Sequence, residues 1–267
     1  MKIVQMKKPL HVLIITLATF AVYYLLDERY FSDMRTWFYE ITNQFGVSHI
    51  IAYAISGIPL IIGALLMHKP SAVIDSFGLN RSFPKAIAFS LICTVPMLIG
   101  YGIFFDFNTE LTLNVFLISG LAAAFFEELF FRGFLYGQVY RYTNFGFFPS
   151  VIAGALLFAS VHMYQSTDPA ELAGIFAVTF MGGLFFAWMY SEWNHNIWVP
   201  VGVHFFMNIF WMLFSAGDNA LGGLYANIFR VMTIVLVIGL TIGYKKKKGL
   251  PLEINRRTIW LKKKMDN

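Results

Sequence analysis

Charge is scarce in this chain. Only 13% of its 267 residues are Asp, Glu, Lys or Arg, and 58% are hydrophobic; a soluble domain of this size carries about 25% charged residues. The shortfall excludes a surface that faces water throughout. Cysteine is nearly absent as well. Cys93, inside an apolar stretch, is the single one, which excludes an internal disulfide and a cysteine zinc cluster and leaves a small apolar side chain. The final residues, Lys264-Met265-Asp266-Asn267, lack a prenylation box. Repeats, low-complexity linkers and a second domain are not visible, so one membrane domain over residues 1–267 is expected.

Aromatic side chains are abundant, with 29 Phe, as suits lipid-facing and interfacial surfaces. Eight apolar segments approach the ~20 residues that cross a bilayer. They lie near 10–26, 49–67, 86–105, 113–136, 148–165, 172–190, 197–214 and 228–244. The first lacks a small-residue cleavage site after its apolar core and reads as a retained span. The fold class is therefore an all-α polytopic membrane protein of about eight transmembrane helices.

The connections alternate in charge. Lys2, Lys7 and Lys8 precede span 1. Asp27, Glu28, Asp33 and Glu40 follow it, against Arg29 and Arg35. Lys69, Arg81 and Lys85 follow span 2, against Asp75. Then come Asp106 and Glu110, Arg141 alone, Asp168 and Glu171, Glu192, and Asp218; Glu192 is the one weak member. The last span leads into the basic tail 245–267, with Lys245 to Lys248, Arg256, Arg257 and Lys262 to Lys264. Positive charge marks the cytoplasmic side. Both termini are expected there, which requires an even number of spans. A basic cluster directly after a span sets topology and touches anionic lipid; no nucleic-acid partner is expected. The expected location is a bacterial cell membrane.

Few ionisable groups fall inside the spans, and each costs at least ~2.5–3.5 kcal/mol near the bilayer centre. Such groups face a protein cavity and take part in function. Glu128 and Arg132 are four apart on span 4, share a face and can pair. Glu127 is rotated by ~100° from its neighbour and has no cation on its own helix. The paired Glu128 suits orientation of a site; the unpaired Glu127, in a drier setting, suits a general base. His162 ends an apolar run on span 5 and can share a water with Glu127. His204 and Asn208 are four apart on span 7, where both can donate to one oxygen, the chemistry of an oxyanion hole. Each has a plainer counterpart: an ion pair as interhelical glue, a packed histidine, a polar seam. Their joint occurrence on three spans favours a site, with the active site in the helical bundle.

Three motifs appear in order. Phe126-Glu127-Glu128-Leu129-Phe130-Phe131-Arg132-Gly133 contains Glu-Glu-x-x-x-Arg, Phe158 to His162 is Phe-x-x-x-His, and His204 to Asn208 is His-x-x-x-Asn. The set resembles the CAAX-protease and bacteriocin-processing (CPBP, or Abi) family of intramembrane endopeptidases. The resemblance covers roughly residues 86–214, which would be the catalytic core of spans 3–7. It implies that Glu127 and His162 activate water, that His204 and Asn208 stabilise the oxyanion, and that Glu128 and Arg132 support the site. Members have often been called metalloproteases. Here a zinc would need Glu127, His162 and His204 from three helices, and no His-Glu-x-x-His helix exists. No cofactor is favoured, with zinc the alternative.

The expected function is hydrolysis of a peptide bond in a membrane-associated peptide or protein, with that substrate and the lipid bilayer as partners. A non-catalytic immunity or scaffold protein of the same fold is the alternative, and it predicts that site mutants keep their biological effect. A transporter with a proton-relaying Glu–His pair is disfavoured, because no broken helix pairs occur in matching halves.

Overall fold

The computed structural model describes residues 9–262. The expectations for Lys2, Lys7, Lys8, Lys263 and Lys264 fall outside that range. Among the described residues, nine helices carry the bundle: α1 (Pro9–Thr42), α2 (Phe45–Ser56), α3 (Ile58–Met67), α4 (Phe83–Phe104), α5 (Leu113–Tyr142), α6 (Phe147–Ser160), α7 (Pro169–Glu192), α8 (Trp198–Leu213) and α9 (Leu224–Lys247). Extended strands are absent among the described residues; Phe145 and Leu261 make an isolated bridge.

The first expected span ends too early. The helix does not stop at 26 but runs to Thr42. Between Pro9 and Gly46 there is neither glycine nor proline, so nothing interrupts the hydrogen-bond ladder until Asn43 turns left-handed at φ 51. Asp27, expected in a loop, therefore sits near the middle of a 34-residue helix. The second span is broken instead. Pro59 lacks the N–H that would continue α2, and the chain re-enters α3 after Gly57. A Cβ at Gly57 would stand 2.6 Å from the ring of Phe130, so glycine here allows close approach of the two helices.

Among the described residues, seven helical segments, with α2 and α3 counted as one, are long and apolar enough to cross a membrane. The expected span at 197–214 is the 16-residue α8, about 24 Å at ~1.5 Å per residue, shorter than a hydrocarbon core of about 30 Å. It packs between α4, α5 and α7. The loops show that it nonetheless carries the chain from end to end. At one end, Asp75 accepts from Arg81 at 3.0 Å and Arg141 at 2.8 Å. There Asn196 also donates to Ser82 and Trp198 to Leu79. At the other end, Asn108 donates to Leu213, Gln44 to Asn114, and Ala220 to Gln165. The connections assort by parity, as eight crossings require. The start of α1 lies with the tail: Pro9, Leu10 and Leu13 line a hollow with Thr143, Phe145 and Leu261.

The weak member of the charge pattern is explained by pairing. The Glu192 side chain is fully buried and takes the ammonium of Lys245, at the end of α9. It also accepts the N–H groups of Glu253 and Ile254 at 3.0 and 2.9 Å. The tail then runs to α6, where the N–H groups of Gly146, Phe147 and Phe148 donate to the carbonyls of Trp260, Thr258 and Ile259. A helix start leaves such donors open; here the tail fills them.

An aromatic heart, including Phe20, Tyr23, Phe126, Phe130, Phe131 and Phe158, joins α1, α5 and α6. The outward faces carry exposed Ile14, Leu17, Ile99, Val231 and Val235. Apolar surface on this scale suits lipid rather than water.

Candidate active site

Helix α5 supplies the first carboxylates. Between Phe116 and Tyr136 its backbone is wound in wider, π-type turns. The turns still leave Glu128 and Arg132 on one face, with Arg132 Nη1 donating to Glu128 Oε1 at 3.1 Å. Glu128 is fully buried and Arg132 is 2% exposed. The guanidinium lies over the rings of Phe158 at 4.4 Å and Phe186 at 5.3 Å, which offsets part of the cost of burying it.

Helix α8 brings His204 to this pair. Its Nδ1 stands 2.9 Å from Glu128 Oε1, and its ring stacks on Phe186 at 5.1 Å. Its Nε2 is 4.0 Å from Glu127 Oε2, within range of charge but too far for a direct hydrogen bond. Glu128 Oε1 is an acceptor already serving Arg132, so His204 Nδ1 is the donor and carries a proton. Oxygen Oε2 of Glu127, oxygen Oε2 of Glu128 and nitrogen Nη2 of Arg132 are buried without partners. Unpaired buried polar atoms are expensive, and three together mark a site built for an occupant.

The other two expected residues stand apart from this direct chain. His162 lies just past the end of α6, and its Nδ1 is 2.7 Å from the carbonyl of Phe158. A carbonyl only accepts, so Nδ1 bears the proton and Nε2 presents a lone pair. No hydrogen bond or ion pair links His162 to Glu127 among the described residues. The connection runs through Phe158, whose ring meets His162 at 4.6 Å and covers Arg132. Asn208 Nδ2 donates to the carbonyl of Ser119, on α5, at 2.9 Å; its second N–H remains available.

The proposed zinc ligands do not fit a metal in this arrangement. Among the described residues no three His, Cys, Asp or Glu side chains stand at metal-holding separation. His204 Nδ1 faces Glu128, and His162 Nδ1 faces the carbonyl of Phe158.

Phe186 was invisible as a site residue, because an aromatic in an apolar helix carries no distinguishing signal. Phe158 stood within the second motif, but its cover of Arg132 could not be read from spacing. Asp27 was assigned to a loop.

The fold and this centre define a polytopic helical membrane protein with a polar Glu–Arg–His cluster held between helices. Residues 109–210 match the family described as Type II CAAX prenyl endopeptidase Rce1-like, a stretch that includes all seven motif residues from Glu127 to Asn208. In Bacillus subtilis (strain 168), the protein named "Putative membrane peptidase YdiL" is 33% identical over 110 residues, covering 39% of this chain and 41% of that protein. The chain thus matches about two fifths of the length of that relative. Both matches support the likeness to the CPBP family that the three motifs carry.

Proposed function

We propose that the chain is an intramembrane endopeptidase acting on a membrane-associated peptide or protein. Glu127 and His162 Nε2 draw a proton from a water, whose oxygen attacks the scissile carbonyl carbon. His204 Nε2 and Asn208 Nδ2 donate to the oxyanion of the tetrahedral intermediate. The proton taken from water passes to the leaving amine as the C–N bond breaks. Glu128 and Arg132 hold His204 in place. The water activation is glutamate-dependent and needs no metal; the donor arrangement supports this reading.

One observation carries the proposal: the Arg132–Glu128–His204 chain is buried in a span, with unpartnered Glu127 Oε2 beside it. A packing seam has no use for an orphaned carboxylate oxygen. The test uses purified protein in micelles with a library of quenched, lipid-anchored peptides. Wild type is expected to cleave at least one peptide, with and without a chelator, and Glu127→Ala and His162→Ala to cleave none while purifying intact. Both variants cleaving at the wild-type rate contradicts the proposal.

The charge pattern supports an orientation with the connections at the Asp75 and Glu192 end in the cytoplasm.

A further inference from the structure

Asp27 is a carboxylate that this chemistry leaves unused. It lies near the middle of α1, and its Oδ1 has no hydrogen-bond partner. Among the described residues no ion pair holds it; the side chain that bonds to it is Ser56, at the end of α2. Ser56 is 3% exposed, and its hydroxyl has no partner besides Asp27. A carboxylate served by one hydroxyl, with Oδ1 unpartnered, is costly in a lipid setting.

The pair belongs to the neighbourhood of Glu127. Tyr53 stacks on Phe126, the residue before Glu127, at 5.2 Å and 12°. Tyr23, one turn before Asp27, meets Phe130 edge-on at 4.9 Å. Both tyrosines feel the charges of Asp27 and Glu127 together, and Tyr53 is coupled as well to Tyr164, two residues beyond His162. Asp27, Tyr53, Glu127 and His162 each keep part of their surface accessible. Tyr23 and Tyr53 thus link Asp27 on α1 to Glu127 on α5. The ionisable groups there are Asp27, Glu127 and Glu128 against Arg132 and His204, which leaves negative charge in excess even with His204 protonated.

We propose that Asp27 and Ser56 form a specificity subsite for a cationic side chain, a lysine ammonium or arginine guanidinium, of the peptide held against Glu127. The inference rests on the peptidase reading. The cation supplies the donor that Asp27 Oδ1 lacks, Ser56 Oγ can accept a second N–H while its own O–H serves Asp27, and the ring of Tyr53 offers a face for the charge. An apolar residue at that substrate position leaves Asp27 Oδ1 unpaired, so discrimination follows from the penalty as much as from the bond.

The test separates binding from cleavage. Fluorescent apolar peptides carry one lysine, scanned through successive positions, and each has a norleucine control. Their binding to the Glu127→Ala protein in micelles is read by anisotropy. At one register lysine is expected to bind roughly ten- to a hundredfold tighter than norleucine, the range of a hydrogen bond to a charged group. Adding Asp27→Asn is expected to abolish the preference, Asp27→Glu to keep most of it, and Ser56→Ala to reduce it. A preference unchanged by Asp27→Asn, or the absence of any preference among peptides that bind, overturns the subsite. In that case cleavage of the same peptides by wild type leaves the peptidase reading standing. Failure of every peptide to bind or be cleaved counts against both.

Discussion

Nδ1 of His204 stands 2.9 Å from Oε1 of Glu128, and that contact fixes which nitrogen of the ring holds a proton. A neutral His204 then has a bare Nε2, which cannot donate to an oxyanion. The proposed role requires the imidazolium, balanced by Glu128 below and Glu127 beside it. Glu128→Gln removes the balancing charge and is expected to lower kcat/KM by about 10²–10³, the usual worth of one oxyanion donor. Steady-state cleavage of a lipid-anchored peptide by the variant and wild type checks this. An unchanged kcat/KM contradicts the assignment.

The tail is anchored by a buried charge pair. Removing one partner strands the other, so Lys245→Met is expected to destabilise the fold by about 3–5 kcal/mol. Glu192→Gln combined with Lys245→Met removes both charges while keeping an acceptor for the N–H groups of Glu253 and Ile254. The double variant should recover most of the loss in a thermal unfolding assay in detergent. Equal damage from single and double variants would argue that the pair is not the anchor.

Gly78 holds the loop before α4 against the loop before α8. It sits at φ +79, and a Cβ there would stand 1.9 Å from the carbonyl oxygen of His195. Gly78→Ala is expected to cost about 2 kcal/mol or more, from the left-handed backbone together with the clash. An unchanged unfolding temperature would show that the two loops separate freely.

His195 gives this loop pair a pH dependence. Burial, reinforced by the charges of Arg141, Arg81 and Lys262, pulls its pKa down to about 3. The unfolded chain titrates near 6.5 and binds the proton that the folded chain refuses. Its contribution to stability is therefore intact above about pH 6.5 and is lost as the pH falls from there toward 3. His195→Asn keeps a residue that tolerates its positive φ of 56 and should flatten unfolding temperature against pH between about 7 and 4. A slope identical to wild type would assign the effect to other groups.

The membrane character was legible because lipid demands long apolar runs, and parity was legible because charge sorts the loops. The extent of α1 was not. Its second half, from Asp27 to Glu40, has the composition of a loop but keeps the helical ladder because nothing breaks it. Glu192 looked anomalous because its partner, Lys245, is 53 residues away. Within the site, four-residue spacing placed Glu128 with Arg132 on one face, since such contacts are local. The approach of His204 to Glu128 spans 76 residues and depends on how α8 lies against α5, which no spacing encodes. The tautomers of His162 and His204 depend on single hydrogen bonds of the same tertiary kind.

The central claim is that Glu127 acts on a peptide bond within the membrane. The most direct measurement is a quantitative comparison of membrane-associated peptides from cells carrying wild type or Glu127→Ala at equal expression, each with and without a chelator. The account predicts one or more peptides present only with wild type, their uncleaved precursors accumulating in the variant, and no effect of the chelator. Identical peptide profiles in the two strains, with the biological effect of the protein retained, would contradict it.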